Sequence, residues 1–185
     1  MKKLVFIFAL LITALPTLAV RAEVETLYEL RGTEIRNVFR LKFSPPAGWE
    51  ESEQGLQQFG LPVYVPKGGT FHYAPAIIYI RVSHKDPKRS IEDFIEVSQG
   101  RWKQKVPDTQ VTKAANEKRD NGQGEFLVYK ILNPSHPKQG WEMLAYGEDK
   151  DKDGNMYFVM ISITATSQKA LDDAEKAYRA ALRTH

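Results

Sequence analysis

Residues 76–83 form a short stretch that is apolar on both of the faces that a β-strand presents. Ile78, Ile80 and Val82 alternate with Ile77 and Tyr79, and alternate side chains of a strand point to opposite sides of its sheet. Both faces of this strand are therefore expected to be covered by other parts of the chain. The stretch predicts a layered fold with a sheet in the middle.

Further strands are predicted wherever apolar alternation runs between turn residues. The segments with this pattern are 38–43, 61–65, 110–116, 124–132, 141–147 and 156–166. Short turns such as Asp120-Asn121-Gly122 separate the later ones, and Asn-Gly favours a tight hairpin connection. Successive strands with short connections predict an antiparallel meander.

Two helices are predicted to pack against this sheet. Ser90 and Asp93 fit a capping box, and apolar residues recur at helical spacing after Ser90 until Pro107 ends the helix. A second helix is predicted from Ser167 to about Leu182. Its apolar stripe comprises Leu171, Ala174, Ala177, Tyr178 and Ala181. The predicted fold is α+β, with an antiparallel β-sheet of about six strands flanked by helices.

The first 22 residues have the pattern of a secretory signal peptide. Lys2 and Lys3 precede an apolar stretch of residues 4–18, and Val20-Arg21-Ala22 places small residues where a signal peptidase would cut. We expect cleavage after Ala22, export by the general secretory pathway, and a periplasmic or secreted protein without membrane insertion after cleavage. Residues 23–185 then form a single domain.

The charge balance changes when this segment is removed. The whole chain has 26 basic and 23 acidic residues. Because residues 1–22 contain three basic residues and no acid, residues 23–185 contain 23 of each. Nucleic-acid binding requires a surplus of lysine and arginine facing phosphates, so no nucleic-acid partner is expected. The chain also has no cysteine, which excludes disulfides, thiolate metal sites and a lipidated cysteine anchor.

The order of these elements resembles that of the PsbP-like family. The resemblance rests on a strand followed by Pro45-Pro46-Ala47-Gly48-Trp49, an aliphatic strand, a capped helix near Ser90, three antiparallel strands, and a strand running into a C-terminal helix. The family includes the Mog-type nuclear transport factors and exported bacterial proteins. The resemblance covers residues 38–182 and implies an α/β/α sandwich with a binding role. Many exported relatives are lipoproteins, whereas this chain lacks cysteine.

One segment resembles the beginning of a calcium-binding loop. Asp149, Asp151 and Asp153 alternate before Gly154, and alternating carboxylates can bind a hard cation. The twelfth position, where such a loop needs a glutamate, is Met160 within a predicted strand. The favoured interpretation is a hairpin turn, and weak calcium binding through these aspartates is the alternative.

No established catalytic motif is recognisable. The chain lacks a Gly-x-Ser-x-Gly nucleophile motif and a phosphate-binding loop. The four histidines, at positions 72, 84, 136 and 185, form no pair spaced by three or four residues on one predicted element. We interpret them as ordinary surface histidines, and no cofactor or catalytic residue is assigned.

Aromatic side chains between two predicted strands are the one indication of a binding surface. The candidates are Phe59, Tyr64, Phe71, His72 and Tyr73. Aromatic residues on loops often provide recognition contacts, although these rings could equally cover the edge of the sheet. The sequence predicts an exported, non-catalytic binding or interaction module with an unidentified protein or small-molecule partner. The alternative is a periplasmic enzyme whose acidic and histidine residues converge only in the fold.

Overall fold

A computed structural model describes residues 24–31, 34–135 and 140–185. The strands are β1 (Val24–Arg31), β2 (Glu34–Leu41), β3 (Trp49–Glu51), β4 (Val63–Pro66), β5 (Ala76–His84), β6 (Gln110–Lys113), β7 (Glu117–Lys118), β8 (Glu125–Leu132), β9 (Trp141–Lys150) and β10 (Met156–Ala165). The helices are α1 (Glu53–Phe59), α2 (Ile91–Lys105) and α3 (Gln168–Thr184). The predicted signal peptide and His136 lie outside the described residues.

The sheet is antiparallel and larger than predicted. Its strands follow the order β3-β4-β5-β10-β9-β8-β6, and β7 pairs with β8 to make eight strands. The prediction of about six strands was therefore wrong, although the α+β class and the antiparallel sheet are confirmed. The additional strands β3 and β7 contain only 3 and 2 residues, which is too short to show an alternating pattern.

Strand β1 and helix α1 were not predicted, whereas β2 overlaps the predicted strand of residues 38–43. Strand β1 pairs with β2 as a separate two-stranded hairpin. Helix α1 begins after Ser52, whose hydroxyl accepts from the Gly55 amide, and ends at Gly60, where φ is 65°. A seven-residue helix carries too few turns for a clear apolar period. Gly55 allows α1 to approach β4 closely, because a Cβ there would lie 2.7 Å from the Val63 Cβ.

Helix α3 covers one face of the sheet. Ser167 caps it as predicted, accepting from the Ala170 amide. Its buried residues are Leu171, Ala174, Tyr178, Ala181 and Leu182. They pack with Ile78, Ile161 and Ile163 from the centre of the sheet and with Val24 and Leu41 from the hairpin, in one apolar cluster.

Helix α2 lies on the opposite face. The predicted capping box is present, because the Ser90 hydroxyl accepts from the Asp93 amide and the Asp93 carboxylate accepts from the Ser90 amide. Only Ile95 is fully buried along the described helix, where it joins a second apolar cluster with Leu144 and Tyr146. The sheet thus separates two cores. No helix among the described residues is long and apolar enough to span a bilayer.

Candidate functional site

A cavity of about 630 Å³ lies between α2 and the sheet. Its floor comes from β5, β9 and β10, one wall comes from α2, and the other comes from the segment between α1 and β5. The volume is typical of pockets that enclose small organic molecules. The face covered by α2 is therefore incompletely filled by the protein's own side chains.

The strand register gives the length of this cavity. At one end Ser83 pairs with Phe158, and at the other Ile77 pairs with Thr164. Both pairs line the cavity, and six residue steps along an antiparallel strand span about 20 Å. The cavity is therefore elongated along β5.

Helix α2 runs along the same direction. Its first turns lie at the Phe158 end, where the Phe94 and Phe158 rings stack with centroids 4.5 Å apart. One turn later, Ser98 Oγ lies 3.1 Å from Tyr146 Oη. Lys105, in the last turn, also lines the cavity. The helix therefore passes from the Phe158 end toward the Thr164 end.

The two ends of the cavity differ in chemistry. At the Phe158 end the lining includes Phe94, whose ring stacks on Phe158, and Val97, one turn further along α2. Tyr79, Glu142 and Thr164 line the opposite end. We call these the apolar end and the polar end.

Glu142 is the central residue of the polar end. It stands beside Thr164 across the β9–β10 pair, and the Thr164 hydroxyl hydrogen bonds its carboxyl. The residue is only 3% exposed, and its Oε2 has no hydrogen-bond partner among the described residues. This end of the cavity therefore has unused hydrogen-bonding capacity.

Burial changes the protonation of this end. It raises the pKa of the Glu142 carboxyl from 4.5 to about 8, against a smaller lowering by the Thr164 hydrogen bond. At neutral pH the carboxyl is therefore mainly protonated and can donate a hydrogen bond. Burial also raises the pKa of Tyr79, and the Glu142 charge adds to that shift. The polar end consequently presents O–H groups at neutral pH.

Basic side chains surround the cavity. Arg81, Arg89, Arg101 and Lys105 line it, whereas Glu142 is the one acidic residue in the described lining. Two of these cations lie toward the polar end, because Arg101 and Lys105 occupy the last turns of α2. Arg81 pairs with Met160, closer to Phe158 than to Thr164, and Arg89 precedes α2. The cavity is therefore electropositive, although residues 23–185 have equal numbers of acidic and basic residues.

The predicted aromatic candidates are split between different surfaces. Phe59 and Phe71 both line the cavity, with ring centroids 5.3 Å apart. His72 is exposed beside Phe71, and Tyr73 is 89% exposed. Tyr64 is buried in the core on the other face of the sheet. The structure thus brings two of the five candidates into the cavity.

The three aspartates of the calcium hypothesis have different partners. Asp149 is 4% exposed, with its Oδ2 3.4 Å from Arg119 Nη1. Asp151 accepts from the amides of Asp153 and Asn155, a bonding pattern typical of a tight turn. No group of three or more metal-ligating side chains occurs within the described ranges. Weak calcium binding stays an untested alternative.

The histidines also occupy different environments. His84 is exposed at the apolar end of the cavity. His185 is 4% exposed, with its Nε2 3.3 Å from Asp149 Oδ2. Its interpretation as a surface residue was therefore wrong, because α3 carries it into the core beside Phe43 and Phe126.

Sequence reasoning did not identify Glu142, although a signal was present. Glu142, Leu144 and Tyr146 alternate along β9 and therefore share one face. A glutamate aligned with two large apolar residues on a buried strand indicates a buried carboxyl.

A scan against models of protein families and a search of curated protein sequences both find no match to this chain.

Proposed function

We propose that this protein is an exported, non-catalytic binding module of the PsbP-like type, and that its cavity binds a small, elongated and largely apolar molecule with one polar end. The observation that carries this proposal is the cavity itself, about 630 Å³ in volume and lined by apolar side chains around one buried carboxyl. Apolar walls with a few converging polar groups are the usual composition of a small-molecule site.

The unpartnered Glu142 oxygen supports a ligand at the polar end. A buried polar atom without a hydrogen bond destabilises a protein by about 1–3 kcal/mol, and Oε2 has no partner among the described residues. A ligand atom that hydrogen bonds this carboxyl would remove that cost. The binding energy would then come from apolar contacts, and the polar end would fix the ligand's orientation.

An enzyme that uses Glu142 as a general acid is the second candidate. A carboxyl with a raised pKa in a cavity is a recognised sign of acid–base chemistry. Such chemistry usually needs a second reactive group nearby. The imidazole that lines the described cavity, His84, belongs to the opposite end, about 20 Å along β5 from the polar end. This separation favours binding over catalysis.

Binding can be tested with the neutral fluorescent probe N-phenyl-1-naphthylamine. We expect saturable 1:1 binding with enhanced fluorescence. Val97→Trp should weaken it by about tenfold, because the larger ring would occupy part of the cavity. Glu96→Trp is the matched control, because Glu96 is exposed on the same helix and is not part of the lining. Absence of saturable binding, or an equal effect of both substitutions, would contradict the proposal.

Export is tested separately by N-terminal sequencing of protein purified from its native host. We expect the mature chain to begin at or near Glu23, because the small residues at positions 20 and 22 precede it. Recovery of the cytosolic protein with Met1 intact would contradict export.

A further inference from the structure

The polar end of the cavity is built to receive a hydrogen-bond acceptor. Tyr79, Thr164 and Glu142 all line it, and burial keeps the phenol and the carboxyl protonated at neutral pH. The Glu142 carboxyl and the Tyr79 phenol can then each donate an O–H, whereas the Thr164 hydroxyl hydrogen bonds the Glu142 carboxyl. A ligand group placed between them is stabilised most when it accepts several hydrogen bonds, as an acidic oxygen does.

The charges around the cavity also favour a ligand with an acidic group. Four basic residues line it, and the single acidic residue in the described lining is the buried Glu142. Among the ion pairs of the described residues, none involves Arg81, Arg101 or Lys105. These cations are therefore available to a ligand. These basic side chains would repel a cationic ligand. At the polar end such a ligand would also find O–H donors where it needs hydrogen-bond acceptors.

The apolar end accounts for the rest of the ligand. The cavity extends about 20 Å along β5, and the stacked rings of Phe94 and Phe158 line its far end. Compact polar anions such as inorganic phosphate would leave this surface uncovered. A chain that is apolar along most of its length fills it.

We infer that the ligand is a single-chain anionic amphiphile, with its acidic head at the polar end between Glu142 and the cations in the last turns of α2, and its apolar chain running toward Phe158. This inference rests on the proposed binding function and specifies its ligand class. Glu142 and Tyr79 donate to the head, Arg101 and Lys105 balance its charge, and the aromatic side chains enclose the chain.

Titration calorimetry with three 12-carbon ligands tests the inference. Each ligand is used at neutral pH and below its micellar concentration. They are dodecanoate, 1-dodecanol and dodecyltrimethylammonium, which share one chain length and differ in head charge. We expect dodecanoate to bind about tenfold more tightly than dodecanol, the ratio that one charge-assisted hydrogen bond supports. The cationic ligand should bind most weakly.

Variants that remove single positive charges show where the acidic head of the ligand binds. Arg101→Gln and Lys105→Gln should each weaken dodecanoate binding by roughly three- to tenfold and leave dodecanol binding unchanged. Lys103→Gln is the matched control, because Lys103 is exposed in the same last turn of α2 and is not part of the lining. Binding of N-phenyl-1-naphthylamine by each variant verifies that the cavity is intact.

The possible outcomes separate the two proposals. Equal affinities for dodecanoate and dodecanol would overturn the anionic ligand class while leaving the binding function intact. Tightest binding of dodecyltrimethylammonium would also overturn it, and would indicate that Glu142 acts as an ionised partner. If neither the neutral probe nor any 12-carbon ligand binds, the proposed function itself fails.

Discussion

The two faces of the sheet are covered by helices in different ways. Helix α3 buries five side chains against one face, whereas α2 buries only Ile95 fully against the other. The Tyr178 hydroxyl on α3 donates to the Ile161 carbonyl at 2.6 Å. On α2 the corresponding connection is a half-buried Ser98–Tyr146 hydrogen bond of 3.1 Å. Between α3 and the sheet the core is filled, whereas between α2 and the sheet a cavity remains.

This difference distinguishes the face that stabilises the fold from the face that we propose to bind a ligand. Filled cores are intolerant of lost volume, because a cavity forfeits both transfer energy and contacts. The face beneath α2 already contains such a space and a buried carboxyl, both of which are unfavourable to the unliganded fold. We interpret the α3 face as the main source of stability and the α2 face as the functional surface.

The largest expected effect is the loss of a side chain from the α3 core. Leu171 is 2% exposed in that cluster, so Leu171→Ala should lower the free energy of unfolding by about 2–5 kcal/mol. Urea unfolding measures the change. Lys176→Ala, on the exposed side of α3, is the control and should change stability by less than about 0.5 kcal/mol. Equal small losses would show that α3 is only loosely attached.

A second prediction concerns the pH dependence that the α2 face introduces. The pKa of Glu142 is about 8 in the folded protein and 4.5 without burial. Between these values the folded chain holds a proton that the unfolded chain has lost, so stability is highest below the lower value and falls as pH rises. The loss should be roughly 1 kcal/mol per pH unit.

Urea unfolding isolates the contribution of Glu142 to the pH dependence of stability. The wild type and Glu142→Gln are compared from about pH 5 to about pH 8. Groups that titrate in both proteins cancel when the two curves are subtracted. Glu96→Gln, an exposed change on α2, should retain the wild-type slope. Identical slopes for the wild type and Glu142→Gln would show that this carboxyl ionises normally in the folded state.

The smallest expected effects compare the two hydroxyl contacts directly. Tyr178→Phe removes a fully buried donor from the Ile161 carbonyl and should lower the free energy of unfolding by about 1–3 kcal/mol. Ser98→Ala removes a partly buried contact and should cost about 1 kcal/mol or less. A larger cost for Ser98→Ala than for Tyr178→Phe would reverse the proposed ranking of the faces.

Features set by neighbouring residues were predictable from the sequence. The Ser90 capping box, the Ser167 cap and the two-sided strand β5 all appear as predicted, because each depends on residues within a few positions of one another. Strands β1, β3 and β7 and helix α1 were not predicted. Their extents are too short or their patterns too weak for periodicity alone to identify them.

The candidate site was predictable only in part, for the same reason. The aromatic stretch predicted Phe59 and Phe71, which line the cavity, as binding residues. It also predicted Tyr64, which points to the opposite face of the sheet because side chains alternate along β4, and which is buried in the core there. Glu142 was detectable in principle from its alternation with Leu144 and Tyr146. Its partnership with Tyr79 and Thr164 depends on strands that are far apart along the chain.

The sequence by itself determined which side chains share a face and where the two long helices begin, because 2-residue and 3.6-residue periods and helix caps act locally. Only the tertiary structure decided that α3 closes onto the sheet while α2 leaves a cavity of about 630 Å³. It also decided that burial raises the pKa of Glu142 to about 8 and that basic residues from β5 and α2 line one cavity. Burial and cavity shape arise from packing between distant segments, and the ionisation of a carboxyl follows the environment that this packing creates.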